Sequence, residues 1–276
     1  MQSQWMCLLK NVGNWHGSFT QLAPDGTLIS DIPTVTSLIS LNDDTTIQQV
    51  IRRMPAGEPP TEQVLTYSSL GRGILLFESG AFSQGSLQLG PFGEFGAELG
   101  LIWGDRRLRL VQLFRDRRLT QFTLIREQLG VMPSMREQLG VMPSMNVTPP
   151  SLTPLVGEWR GEATTLYPDW RTPETTLTQL TIRQEHNRLV QTTTFAGQTI
   201  VSTADITGSR LQFKEGAQPV QVLLLPDGAS ATCPTEIRPQ TPFFLEVGWL
   251  AEPDTRLRMS RWYDASGAWV SLTLVV

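Results

Sequence analysis

Histidine and cysteine are scarce in this sequence. Its 276 residues include two histidines, His16 and His186, and two cysteines, Cys7 and Cys233. These four residues show none of the short spacings that zinc sites use, and two cysteines do not make a disulfide framework. The Gly-x-Ser-x-Gly nucleophile motif and the Gly-x-Gly-x-x-Gly dinucleotide motif are also missing. We therefore expect no metal site, no required cofactor and no catalytic residue.

Lysine and long apolar runs are scarce as well. Only Lys10 and Lys214 among the 22 basic residues are lysines, and 26 acidic residues leave a net charge of −4. Phosphate binding needs a basic surface, so this balance argues against a nucleic-acid partner. No apolar run approaches the roughly 20 residues of a membrane-spanning helix, and no secretory signal is recognisable. We expect a cytoplasmic protein without a membrane span.

The sequence does contain an internal repeat. Residues 12–25 (VGNWHGSFTQLAPD) and 156–169 (VGEWRGEATTLYPD) agree at eight positions, including the tryptophan. Further along, a glutamate in Phe-x-x-Glu-x-Gly and an Arg-x-Arg pair recur in the same order. These repeated charges are Glu98, Arg107 and Arg109 in the first copy, and Glu246, Arg256 and Arg258 in the second. The chain is therefore expected to contain two copies of one domain.

Each copy reads as a series of short strands. Turn residues such as those at 24–26 and 226–228 (both Pro-Asp-Gly) separate alternating or β-branched runs. This pattern predicts an all-β protein made of two tandem antiparallel β-barrels. Residues 47–54 fit either a helix or a strand, but their counterpart at 189–195 is strand-like, which favours a strand.

A short helix is predicted before the first copy. Trp5, Leu8, Leu9 and Val12 follow helical spacing, and Ser3 can cap the helix. We expect this N-terminal helix to cover one end of the first barrel.

A doubled decapeptide marks the boundary between the copies. Residues 126–135 (REQLGVMPSM) recur letter for letter as 136–145, before a proline-rich stretch that reaches residue 154. Ten extra residues within a barrel strand would shift its register, whereas a surface connector tolerates them. We therefore predict an exposed linker at 126–154, between a first barrel at 1–125 and a second at 155–276.

The repeated tryptophans carry a resemblance to a known family. A Gly-x-Trp near the start of a strand, with an arginine on a late strand, resembles the lipocalin (calycin) superfamily. Here the motif residues are Gly13 with Trp15 and Gly157 with Trp159. The whole chain is similar to a family of tandem lipocalin-like proteins from cyanobacteria and plastid-bearing eukaryotes, for which no activity is established.

That resemblance implies eight-stranded barrels with a structural arginine–tryptophan contact at each closed end. Arg107 or Arg109 would pack on Trp15, and Arg256 or Arg258 would pack on Trp159. A guanidinium group over an indole contributes about 0.5–2 kcal/mol.

The orientation of the repeated charges remains open between two alternatives. If 103–106 form a turn, Glu98, Arg107 and Arg109 share one strand face, and Leu99, Leu101, Leu108 and Leu110 share the other. Either the charged face lines the barrel, or the leucines fill it and leave a solvated ion pair worth under about 1 kcal/mol.

The predicted function is non-catalytic binding of a small, largely apolar ligand with an anionic end, of pigment, bilin or lipid type, inside a barrel. The second barrel is favoured because it is rich in aromatic residues, including Trp249 and Trp262. The candidate ligand-binding residues are Glu98, Arg107, Arg109, Glu246, Arg256, Arg258, Trp249 and Trp262.

Two alternatives remain. Resemblance to lipocalin-like phycobilin lyases implies an enzyme that attaches a bilin to a partner protein, or a chaperone for that pigment. Alternatively, side chains fill both barrels, and the protein is an interaction module with a protein partner.

Overall fold

The computed structural model describes residues 2–130 and 148–276, and nearly all of their regular structure is antiparallel strand. The first half contains helix α1 (Gln4–Leu9) and strands β1 (Gly13–Leu22), β2 (Leu28–Leu41), β3 (Thr46–Arg53), β4 (Thr61–Tyr67), β5 (Ile74–Leu76), β6 (Phe82–Gly85), β7 (Glu94–Trp103), β8 (Arg106–Arg115) and β9 (Arg118–Leu129). The second half begins with a short 3-10 helix (Thr153–Leu155). Its strands are β10 (Gly157–Leu166), β11 (Glu174–Glu185), β12 (Arg188–Phe195), β13 (Gln198–Thr207), β14 (Arg210–Phe213), β15 (Val220–Leu224), β16 (Ala229–Cys233), β17 (Phe243–Glu252), β18 (Thr255–Tyr263) and β19 (Trp269–Val275).

Each half curls into a barrel, and only the second closes completely. The first sheet has the order β4-β3-β2-β1-β9-β8-β7-β6-β5, and no ladder joins β4 to β5. The second sheet closes through the pairing of β10 with β19. The predicted all-β fold with two tandem barrels is confirmed. The implied count of eight strands is wrong, because short strands such as β5 and β14 raise the counts to nine and ten.

The N-terminal helix and the strand at 47–54 both form as predicted. Strand β3 pairs with β2 and β4 and buries Ile47 and Ile51, so the strand interpretation of this segment is confirmed. Ser3 caps the N-terminus of helix α1, because its hydroxyl accepts a hydrogen bond from the backbone N–H of Met6. Leu8 then packs into a cluster that includes Trp15, and the helix covers one end of the first barrel.

Strand β9 extends four residues into the predicted linker. Residues 126–129 pair with β1, residues 126–128 also pair with β8, and Arg126 and Glu127 are buried. The predicted start of an exposed linker at residue 126 is therefore wrong, because strand β9 continues to Leu129 and its hydrogen bonds to neighbouring strands hold this segment in the sheet. The rest of the doubled decapeptide, from 131 onward, lies outside the described residues.

The largest hydrophobic core lies between the halves. Leu99, Leu101, Leu108 and Leu110 on β7 and β8 point away from the first barrel and pack against residues such as Val247 on β17. All four leucines are at most 1% exposed. Burial of this size makes the two barrels one packed unit.

Several arginines connect the halves, among them Arg261 and Arg126. Arg261 of β18 is fully buried and donates hydrogen bonds to the Gly73 carbonyl and the Ser83 hydroxyl, each at 3.2 Å. Its guanidinium carbon also lies 3.4 Å from the ring centroid of Trp269. Arg126 Nη1 lies 2.6 Å from Asp227 Oδ2 across the same interface.

Candidate functional site

The repeated charges of the first half point into its barrel. The β7–β8 register places Ile102 opposite Arg107 and Gly100 opposite Arg109, as the predicted turn requires. Glu98, Arg107 and Arg109 all line the interior, so the interpretation with charges inside is confirmed for this half. The leucines on the opposite face lie outside this barrel. They are nevertheless shielded from solvent, because the second barrel packs against them.

A buried network neutralises these charges. Arg107 Nε donates to Glu127 Oε2 at 2.7 Å, and Arg109 holds both Glu127 oxygens, at 2.8 and 3.0 Å. Arg109 Nη1 also donates to Glu98 Oε1 at 2.7 Å. Burial alone would raise the pKa of Glu127, but Arg109 and Arg107 lower it to about 2. Two arginines and two glutamates therefore form a charge-balanced cluster.

Glu127 was not predicted as a site residue, because it lies within the doubled decapeptide, which was interpreted as an exposed linker. One signal could have found it. Two arginines on an inward strand face require a carboxylate partner, and β9 is their immediate neighbour.

The arginine–tryptophan contact forms in the first half. The guanidinium carbon of Arg107 lies 4.2 Å from the ring centroid of Trp15. The Trp15 indole N–H donates to the Asn11 carbonyl at 2.8 Å. The contact that the resemblance implied is therefore confirmed here.

The second half keeps only part of that arrangement. The Trp159 indole N–H donates to the Leu155 carbonyl at 2.9 Å, which matches the geometry of Trp15. No arginine of the described residues lies over the Trp159 ring, so the implied contact with Arg256 or Arg258 is wrong. Trp159 instead packs among aliphatic residues, including Leu250.

A cavity of about 530 Å³ occupies the interior of the first barrel. Apolar side chains such as Phe19, Ile51 and Phe82 form much of its wall, together with the Arg109–Glu98 pair. Arg53 also lines the cavity, with its guanidinium carbon 5.6 Å from the Phe19 ring centroid.

Arg53 is the unpaired cation of this cavity. Within the described ranges, no carboxylate oxygen lies within 4 Å of it. Three arginines and two glutamates thus leave one positive charge in and around the cavity. The sequence analysis missed Arg53, although its spacing from Ile47 and Ile51 places it on the same strand face.

In the second barrel, the repeated charges also face inward. Glu246 accepts three hydrogen bonds from Arg258, at 2.9, 3.0 and 3.1 Å. Arg256 shares this face, since it lies opposite Leu250 as Arg258 lies opposite Gly248. Trp262 is on the same face, near the far end of β18, where it is 40% exposed and stacks on Phe244 at 4.5 Å.

Trp249 does not point into the second barrel. Side chains along β17 point alternately into the second barrel and towards the first half. Because Glu246 points into the barrel, the Trp249 indole points towards the first half and belongs to the shared core. There it borders a cleft of about 380 Å³ between the halves, with the guanidinium carbon of Arg106 at 5.4 Å from its ring centroid. Its expected place inside the barrel is wrong, because strand parity assigns it to the outer face.

None of the described helices is long and apolar enough to cross a membrane. Across residues 2–130 and 148–276, no group of three or more His, Cys, Asp and Glu side chains is placed to hold a metal ion.

Comparison with known proteins gives a match to each half. The family model described as "Domain of unknown function (DUF3598), N-terminal" matches residues 1–131. The model described as "Biogenesis factor required for ATP synthase 1, C-terminal domain" matches residues 148–276. No curated protein matches the chain by sequence.

Two solved structures resemble the chain to very different degrees. An S-type phycobiliprotein lyase from Guillardia theta matches 52% of this chain and 97% of its own, with 15% identity and a TM-score of 0.35. That likeness is too low to support an argument about function.

The other structure is a protein of unknown function from the DUF3598 family of Nostoc punctiforme PCC 73102. It is 45% identical, has a TM-score of 0.88, and the match covers 100% of this chain and 98% of that one. The predicted membership of a family with cyanobacterial members is confirmed: this chain belongs to the DUF3598 family.

Proposed function

We propose that the first barrel binds a small, largely apolar molecule with an anionic end, without catalysing a reaction. The observation that carries this proposal is the 530 Å³ cavity lined by an unpaired arginine. Ligand pockets typically have volumes of about 300–1,000 Å³, with apolar walls and a few polar groups that orient the ligand.

The charges of the cavity support a ligand of this chemistry. The Arg109 guanidinium is already held by Glu98 and Glu127, so it has little capacity for another anion. Arg53 has no such partner among the described residues, and a carboxylate at its guanidinium would form a charge-assisted pair. Pigments, bilins and lipids with acid groups combine an apolar body with such an end.

The open seam of the first sheet offers a route into the cavity. No ladder joins β4 to β5, and Leu65 of β4 lines the cavity while remaining 44% exposed. Its neighbour Val64 points to the opposite face of the same strand. These two residues provide a matched pair for a test.

The test uses dodecanoate as the probe and isothermal titration calorimetry as the readout. Leu65→Trp inserts a larger side chain into the cavity and should weaken dodecanoate binding at least tenfold. Val64→Trp adds the same side chain to the outer face and should leave binding unchanged. Absence of saturable binding to the unmodified protein, or equal losses in the two variants, would contradict a ligand site in this cavity.

A second candidate function is a role in ATP synthase biogenesis. The family model that matches residues 148–276 is described by that role. The same half also exposes apolar side chains near one end of its barrel, among them Trp170, Leu177 and Val201. Exposed apolar patches commonly mark protein-binding surfaces.

This candidate is tested in cells that lack the protein. The amount of assembled ATP synthase should fall and should recover when the gene is restored. A Leu177→Ser, Val201→Ser variant should fold normally and fail to restore assembly. Unchanged assembly in the deleted cells would contradict this role.

A further inference from the structure

The second barrel contains an arginine, Arg256, that is partly buried and makes no ion pair with the residues that the structure describes. Arg256 occupies the position of Arg107 in the repeat, on the inner face of β18. In the first barrel, Glu127 of β9 lies opposite Arg107 and neutralises it.

The neighbouring charges do not compensate Arg256. Glu246 is the nearest repeated carboxylate, and Arg258 already holds it through two nitrogen atoms. In the parts of the chain that the structure describes, Arg256 makes no ion pair and donates no hydrogen bond to a side chain or carbonyl. Its Nη1 atom is buried and without a partner.

The surroundings of the Arg256 guanidinium contain small residues. Gly248 lies beside it, and a Cβ atom built on that glycine would lie 3.7 Å from Arg256 Nη2. The same Cβ would approach the Ser230 hydroxyl to 2.5 Å, so glycine keeps the backbone close to that hydroxyl and leaves the guanidinium uncovered on this side. Ser230 and Gly248 are also partners in the β16–β17 ladder.

We propose that Arg256 binds an anionic group, a carboxylate or a phosphate, inside the second barrel beside Ser230 and Gly248. A buried cation without a partner destabilises a folded protein, and an anion that reaches it relieves that cost. This site is separate from the cavity of the first barrel and does not depend on the proposed function of that cavity.

The protonation of Arg256 is compatible with this role. Burial and the neighbouring Arg258 lower the pKa of Arg256 to about 9, partly opposed by Glu246. The guanidinium therefore remains charged at pH 7 and attracts an anion.

The first test measures the melting temperature with added inorganic phosphate or acetate, against chloride at equal ionic strength. A ligand that binds only the folded state raises the melting temperature with concentration. Phosphate or acetate should do so for the unmodified protein, and the effective anion identifies the group. Arg256→Met should abolish the shift, whereas Arg160→Met, at an exposed outer-face arginine, should retain it. Equal shifts in all three proteins would overturn the proposal, because they would reflect a general salt effect.

A second variant keeps the test informative if Arg256→Met does not fold. Ser230→Asp introduces a carboxylate near the unpaired guanidinium. It should raise the melting temperature in chloride and remove the response to phosphate or acetate. A lower melting temperature with an unchanged response would place the anion elsewhere and overturn the proposal.

Discussion

Arg107 connects the closed end of the first barrel to its charged interior. Its guanidinium carbon lies 4.2 Å from the centroid of the Trp15 ring, while its Nε donates to Glu127 at 2.7 Å. A single side chain thus packs on the repeated tryptophan of the first copy and neutralises a buried carboxylate. The equivalent Arg256 does neither.

The packed tryptophan gives the first prediction. Trp15→Ala should destabilise the protein by roughly 3–5 kcal/mol, because it removes a buried aromatic side chain and its contact with Arg107. Trp159→Ala should lower the free energy of unfolding by less, since Trp159 is only partly buried and no arginine of the described residues packs on its ring. Urea denaturation measures both changes, and a nearly neutral Trp15→Ala would contradict the packing described here.

Glu127 gives a prediction about pH. Its pKa in the folded state, about 2, is below its value of 4.5 in the absence of these contacts. Its stabilising contribution is therefore complete above about pH 4.5 and is lost as the pH falls toward 2. At pH 7, Glu127→Gln should destabilise the protein by roughly 3–5 kcal/mol, since it leaves two buried arginines short of a carboxylate.

The pH test compares the free energy of unfolding of the variant and the unmodified protein. The difference should shrink as the pH falls from 4.5 toward 2. Glu94→Gln is the matched control, because Glu94 forms an exposed ion pair with Arg115 and should change stability little at any pH. A difference that stays constant down to pH 2 would refute the assigned role of Glu127.

The shared core predicts that the halves unfold together. Calorimetry should show one transition, with equal calorimetric and van't Hoff enthalpies. Leu99→Ala should lower its midpoint through a loss of roughly 2–5 kcal/mol, whereas the exposed Leu177→Ala should not. Two transitions, of which Leu99→Ala shifts only one, would show that the barrels are thermodynamically independent.

The second copy of the decapeptide, residues 136–145, is predicted to be dispensable for stability. Deleting 136–145 leaves one REQLGVMPSM, so Arg126 and Glu127 keep their places at the end of β9. We expect the melting temperature to change by no more than about one or two degrees, as for a deletion in a tolerant connector. Loss of cooperative unfolding would instead assign the second copy to the folded structure.

The repeat and the strand alternation predicted most of the architecture. Period-2 patterning and turn residues predicted two antiparallel barrels, and they placed Glu98 and Arg109 on one face of a hairpin. The same patterning could not say what covers the leucines at 99–101 and 108–110. A leucine face packs equally well inside a barrel or against a second sheet, and only the arrangement of the halves decides between them.

The candidate site was predictable only in part. Glu127 was missed because an exact duplication suggested a tolerant loop, although the duplicated segment begins within a strand. Arg53 was missed because a single inward arginine has no repeated counterpart to mark it. Trp249 was placed wrongly because composition counts aromatic residues without regard to the strand face on which each lies.

In the proposed ligand site of the first barrel, Arg53 binds the acid group of an apolar ligand. The affinities of Arg53→Gln and Arg52→Gln variants for dodecanoate and for methyl dodecanoate test this contact. Arg52 is adjacent, faces outward and lies 3.8 Å from Glu62. We predict that Arg53→Gln weakens binding of the acid about tenfold or more and leaves binding of the ester unchanged, while Arg52→Gln changes neither. Equal effects of Arg53→Gln on acid and ester would show that Arg53 does not bind the acid group.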